Sequence, residues 1–223
     1  MADKSEGGTV AQADFARTLA ALKRRGSNVL LVGPETAEGH GALCHRLLGE
    51  NVASRYRLLV TDSRTRTVQS CHESSVSCST HETPTTRTID YATAGAGATG
   101  ERSGDHAPLE ALGTDIAEAI TAFDADADGL EPAQLRVCFD SLVSLLERHA
   151  AEPVFRLLHM VTARVSHVRG MGHYHVPVTR DHDAVSLLEP LFDGIVEVRT
   201  RDGAYDQRWH LQERETTTEW LPV

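Results

Sequence analysis

Two rhythms of apolar residues alternate along the chain. Phe15, Leu19 and Leu22 recur at i, i+4 and i+7, with Asp14 ahead of them and Gly26 behind, which predicts an amphipathic helix with a C-terminal stop. The next run, Asn28-Val-Leu-Leu-Val32, is short and apolar without interruption, as in a strand buried on both faces. Leu43, Leu47 and Leu48 then mark a short helix ending at Gly49. Residues 56–61 and 86–91 read as a second and third strand, and Leu109, Leu112, Ile116, Ile120 and Phe123 form the cleanest helical stripe of the chain. Gln134–Phe139 is a strand that ends at Asp140-Ser141, and Val154, Leu157, Leu158, Val161, Val165 and Val168 outline a long helix stopped by Gly170. His173–Val178 alternates strictly. Val185, Leu188, Leu191 and Phe192 mark a helix headed by Asp181 and Asp183, whose carboxylates suit a helix start. A strand at Ile195–Arg199, a turn at Asp202-Gly203 and a returning strand at Arg208–Glu213 close the pattern. Residues 1–12 read as a polar, flexible tail and 92–107 as a small-residue, Gly-rich loop. The alternation predicts one α/β domain over residues 13–223, a three-layer sandwich with a mostly parallel sheet and an antiparallel C-terminal edge hairpin.

Charge narrows the function classes. Acidic residues number 32 against 22 basic ones, a formal charge of −10, so a nucleic-acid partner is not expected: the net field repels phosphate. No stretch has the roughly 20 apolar residues of a membrane-crossing helix. The opening MADKSEGGTV has no apolar core of a secretory signal, and four cysteines in 223 residues are too few for a disulfide scaffold. A reduced, cytoplasmic location is the expectation. Only Lys4 and Lys23 are lysines among the 22 basic residues, and aromatics make up 5 %. Together with the acidity, these traits point to a protein adapted to high salt.

The most suggestive stretch for chemistry follows the first strand: Gly33-Pro-Glu-Thr-Ala-Glu-Gly39-His40-Gly41. Backbone amides of such a strand-to-helix loop can cradle a phosphate. The motif G-x-x-x-x-G-K-S/T is nevertheless broken. Gly39 falls one residue late, His40 stands where the lysine belongs, and Gly41 replaces the hydroxyl that would bind Mg²⁺. The loop reads either as a turn that needs glycine or as a residual anion site. Asp140, at the end of the apolar strand Val137-Cys-Phe, occupies the position of a Mg²⁺-holding carboxylate, or else caps the helix that follows.

These stretches, with Leu58-Leu-Val-Thr-Asp62, Asp140-Ser-Leu and Leu191-Phe-Asp-Gly-Ile-Val-Glu-Val198, resemble the RecA-type core of KaiC-like P-loop ATPases, most closely short KaiC-like proteins of halophilic archaea. The resemblance runs over about residues 14–215 and implies a RecA-like fold. It also implies a vestigial nucleotide site at Gly33, Gly39, His40, Gly41 and Asp140. Active relatives are ATPases, often ring-forming, and many serve regulation. Their catalytic Glu corresponds to Asp62, one methylene shorter. The expectation is a non-hydrolysing regulatory module, not an enzyme, with a protein partner, self-association in view, and no bound cofactor. The alternative is an ATPase that takes ATP and Mg²⁺ through an altered loop.

Other clusters offer weaker chemistry. Cys71, His72, Cys78 and His81 lie close together at a spacing that fits no standard zinc finger. His173 and His175 share one strand face, as a metal or phosphate pair or as packed histidines. Asp124, Asp126 and Asp128 imitate the start of a calcium loop, but Leu135 stands at the twelfth position, so a solvated turn is expected. Arg199 and Arg201 form either a surface ladder or a contact to a neighbouring copy. If the acidic surface is a high-salt adaptation, lowering KCl from molar to dilute concentration unfolds the chain, as followed by circular dichroism. Full stability in dilute buffer would count against that adaptation.

Overall fold

The computed structural model describes residues 5–33, 37–49, 55–62, 84–91 and 109–223. The elements, in chain order, are α1 (Ser5–Arg25), β1 (Ser27–Val32), α2 (Ala37–Leu48), β2 (Tyr56–Thr61) and β3 (Thr86–Asp90). Then follow α3 (Leu109–Asp126), β4 (Leu135–Asp140), α4 (Leu142–Arg148), α5 (Ala151–His167) and β5 (Met171–Val176). The chain finishes with α6 (Asp183–Leu188), β6 (Gly194–Arg201), β7 (Ala204–Leu211), β8 (Thr216–Thr217) and β9 (Leu221–Pro222). The expected strands are present within two or three residues of their ends, apart from the returning strand, which starts earlier, at Ala204. The first helix reaches back from Asp14 to Ser5. The helix expected near 185–192 is split, α6 giving way to a 3₁₀ turn over Glu189–Leu191 that contains Pro190.

The strands form one sheet in the order β3-β2-β4-β5-β1-β6-β7-β8, with β9 also on β7. Pairs from β3 to β6 are parallel, and β6–β7, β7–β8 and β7–β9 are antiparallel. The protein is thus of the α/β class, with a mostly parallel sheet and antiparallel C-terminal strands.

Both faces of the sheet are covered, which explains the uninterrupted apolar run of β1. Leu30 and Val32 enter one core with Leu58, Val60, Val137, Phe139 and Tyr174, under α3 and α5. Val29 and Leu31 enter the other, with Leu22 of α1, Leu43 of α2, Val196 and Trp209. The second face turns polar beneath α2: Arg57, Arg136, Cys138, His173 and His175 all point away from the larger core and are at most 8 % exposed. Two of them hold the end of α2, where helix carbonyls lack intrahelical partners. Arg136 donates to the Leu47 carbonyl and Arg57 to that of Gly49, each at 3.1 Å.

The outer side of β7 is occupied by the chain's own C-terminal residues. Thr218 N–H donates to the Trp209 carbonyl and Val223 N–H to that of Tyr205, each at 2.9 Å. Trp220 lies against two guanidinium groups, 3.8 Å from that of Arg199 and 4.5 Å from that of Arg208.

A buried polar knot anchors β1 to β5 and α5. The Asn28 side-chain amide donates to the Thr162 carbonyl at 3.1 Å and to Ser166 Oγ at 3.0 Å, and its oxygen accepts the Tyr174 hydroxyl at 2.9 Å. Gly172 leaves the room this needs: a Cβ there would stand 2.6 Å from Asn28 Oδ1. Replacing Asn28 by Ala strands the Tyr174 hydroxyl, which is 0 % exposed. The expected loss is about 1–3 kcal/mol, read as a lower urea midpoint in chemical denaturation.

Candidate functional site

Parallel strands deliver their carboxyl ends to one edge of the sheet, where α/β proteins place ligands. β1 ends there at Gly33. The glycine has φ +144°, and a Cβ on it would collide with the Val198 carbonyl oxygen of β6. Close packing of two strand ends therefore requires glycine here, with or without a ligand. Its N–H donates to the Val178 carbonyl at 2.8 Å, so this amide is already engaged.

Gly39, His40 and Gly41 lie in the first turns of α2 and are all buried. His40 is 2 % exposed. Its Nε2 lies 3.3 Å from the Gly33 carbonyl and its Nδ1 lies 3.4 Å from His175 Nδ1. The side chain thus ties the helix to the strand ends inside the protein. Burial holds its imidazole below the usual value, against a smaller opposing pull from the Gly33 carbonyl, so the ring is neutral at pH 7.

Asp140 closes β4 next to Thr61 of β2, and Asp62 follows one residue later. Asp62 is 4 % exposed and forms an ion pair with Arg148 of α4 at 2.6 Å. Asp140 does not cap the helix that follows. That place belongs to Ser141, whose Oγ accepts the Val143 amide at 3.3 Å. Asp140 Oδ1 is buried and has no hydrogen-bond partner among the described residues. Burial first, and the Asp62 charge second, push its carboxyl up to about 7. Nearby, the Tyr91 hydroxyl pairs with Ser144 Oγ at 2.6 Å, and Ser144 donates to the Ser141 carbonyl at 3.0 Å.

A second group lies on the polar part of the sheet under α2. Cys138 and His173 are direct neighbours in the β4–β5 register, and His175 follows on the same face. Cys44 comes down from α2, one turn after His40. Its Sγ is 3.6 Å from Cys138 Sγ and 3.2 Å from His173 Nε2. Burial, with a smaller contribution from Arg136, pushes His173 down to about 3, so this imidazole is also neutral. The structure therefore brings together His173 and His175, which the sequence pairs, with His40, Cys44 and Cys138, which the sequence leaves apart. Two signals were available. His40 and Cys44 are spaced i, i+4 on one helix face, and the histidines alternate with core residues in a strand whose two faces are both covered.

The other sequence candidates fall elsewhere. Asp124 ends α3 by accepting the Leu130 amide at 2.9 Å, a helix-closing turn. Arg199 and Arg201 pair with Asp206 at 3.2 and 3.1 Å, as a ladder on the edge hairpin. Cys71, His72, Cys78 and His81 lie outside the described residues. No described helix is long and apolar enough to cross a membrane.

The fold and this edge define an α/β protein with a glycine-bounded loop and two carboxylates at its strand ends. The profile of DUF7504, a family of unknown function, matches residues 26–198, and the chain belongs to that family. No curated protein matches it.

Since Asp140 takes up a proton more readily in the folded chain than in the unfolded one, its contribution to stability is fully present below about pH 4 and is lost as pH rises to about 7. Asp140→Asn is expected to remove this dependence and to raise stability at pH 8 by on the order of 1–3 kcal/mol. Melting temperatures of the two proteins across pH 4–8 check it.

Proposed function

We propose that this protein is a degenerate KaiC-like module of RecA type that no longer hydrolyses ATP and acts by binding a protein partner. Two features support the RecA-type reading. β5 lies between β1 and β4, so the strand carrying the Gly33 loop and the strand carrying Asp140 are separated by one strand. The Gly33 loop, Asp62 and Asp140 also lie at the same end of the sheet.

The loss of hydrolysis rests above all on His40. In an active loop, a lysine at this position places a permanent cation against the terminal phosphates. Here the residue is a neutral imidazole turned inward onto Gly33 and His175. Asp62, which corresponds to the carboxylate that would orient water, is paired with Arg148. Without the lysine and the hydroxyl that the motif places after its second glycine, phosphoryl transfer lacks the electrostatic stabilisation on which it depends. The formal charge of −10 disfavours nucleic acid as the partner and is compatible with a protein.

Calorimetric titration of ATP with Mg²⁺ in multimolar KCl tests the reading. No saturable heat and no phosphate release are expected. Micromolar binding, or Mg²⁺-dependent hydrolysis abolished by Asp140→Ala, would establish an ATPase with an altered loop instead.

A further inference from the structure

We propose that Cys44, Cys138, His173 and His175 form a closed, tetrahedral zinc site that fastens α2 to strands β4 and β5. One ligand atom from each residue lies within 4.8 Å of the other three. The four residues are between 0 and 2 % exposed. Around zinc, bonds of about 2.3 Å to sulfur and 2.0–2.1 Å to nitrogen set tetrahedral edges of about 3.8 Å between sulfurs and about 3.5 Å from nitrogen to sulfur. The observed Cys44–Cys138 and Cys44–His173 separations are 3.6 and 3.2 Å. Small side-chain rotations would close the remaining gap.

Chemistry selects the ion. Two thiolates and two imidazoles are a soft-to-borderline donor set, suited to zinc and unsuited to Mg²⁺ or Ca²⁺. Binding releases the two thiol protons to solvent, and Zn²⁺ with two thiolates and two neutral imidazoles carries no net charge. Such a neutral unit can be buried, whereas isolated charges at this depth would be costly. Four protein ligands leave no open position for water or substrate, which marks the site as structural.

The hydrogen bonds around it fit the same assignment. The Gly33 carbonyl can only accept, so His40 Nε2 carries the proton and His40 Nδ1 accepts. His175 Nδ1 must then donate to His40 Nδ1, which places the His175 lone pair on Nε2, the nitrogen that would bind the metal. Metal-bound histidines commonly donate their second N–H in this way. On this assignment the histidine in the loop-lysine position supports a metal ligand.

Metal analysis of the full chain, purified with reductant and without chelator, tests the proposal together with cobalt titration of the stripped protein. About one zinc per chain is expected, together with the intense visible bands and thiolate charge transfer of tetrahedral cobalt. Cys44→Ser with Cys138→Ser should lose both signals, while Cys71→Ser with Cys78→Ser should retain them. The wild-type cobalt spectrum decides the matter even if the first double variant fails to fold. Absence of zinc with an octahedral cobalt spectrum would overturn the proposal, as would a Cys44–Cys138 disulfide in the purified protein. Zinc lost only with Cys71 and Cys78 would also overturn it. None of these readouts involves nucleotide, so they stand apart from the outcome of the ATP titration.

Discussion

Enclosure of the sheet on both faces is the constraint from which the rest of this structure follows. Once helices cover both sides of β1, β4 and β5, no side chain on these strands can rely on water. Apolar residues then become the default, and every polar one must find a partner within the protein. Asn28 meets the requirement with three hydrogen bonds, and Arg136 partly meets it at the end of α2. Cys138, His173 and His175 meet it through one another and through the two residues that α2 sends down to them.

The same constraint accounts for the character of the glycine loop. A phosphate-binding loop needs unengaged amides and an accessible cation. Here the Gly33 amide is engaged by Val178, its carbonyl lies against His40, and its missing Cβ makes room for the backbone of β6. At Gly33 both backbone polar groups are thus directed inward. Packing against β6 accounts for the glycine at position 33, and His40 makes an internal contact with its carbonyl.

The fold was largely legible because its signals are local. The apolar run of β1, the stripe from Leu109 to Phe123 and the Asp202-Gly203 turn each specify their own conformation. The site was legible only in part. Gly33, His40 and Asp140 could be singled out by their place after strands, but the direction in which His40 points depends on His175, far along the chain. The alternation of His173-Tyr-His-Val puts both histidines on one face but does not say what covers it; α2 does. Cys44 and Cys138 carried no motif, because their proximity depends on how α2 packs across β4, and that of Cys138 and His173 on the order of β4 and β5. Of the two readings of Asp140, the helix cap misses by one residue, since Ser141 provides the capping oxygen.

The sheet ends at β7 in a rim that the same chain covers. There the backbone of β7 is paired between Tyr205 and Leu211 by short segments of the same chain, with Trp220 laid over the arginines beside it. An unguarded outer strand invites lateral growth, copy upon copy, into aggregates. By spending its final residues as a selvedge, the polypeptide denies that route on the β7 side.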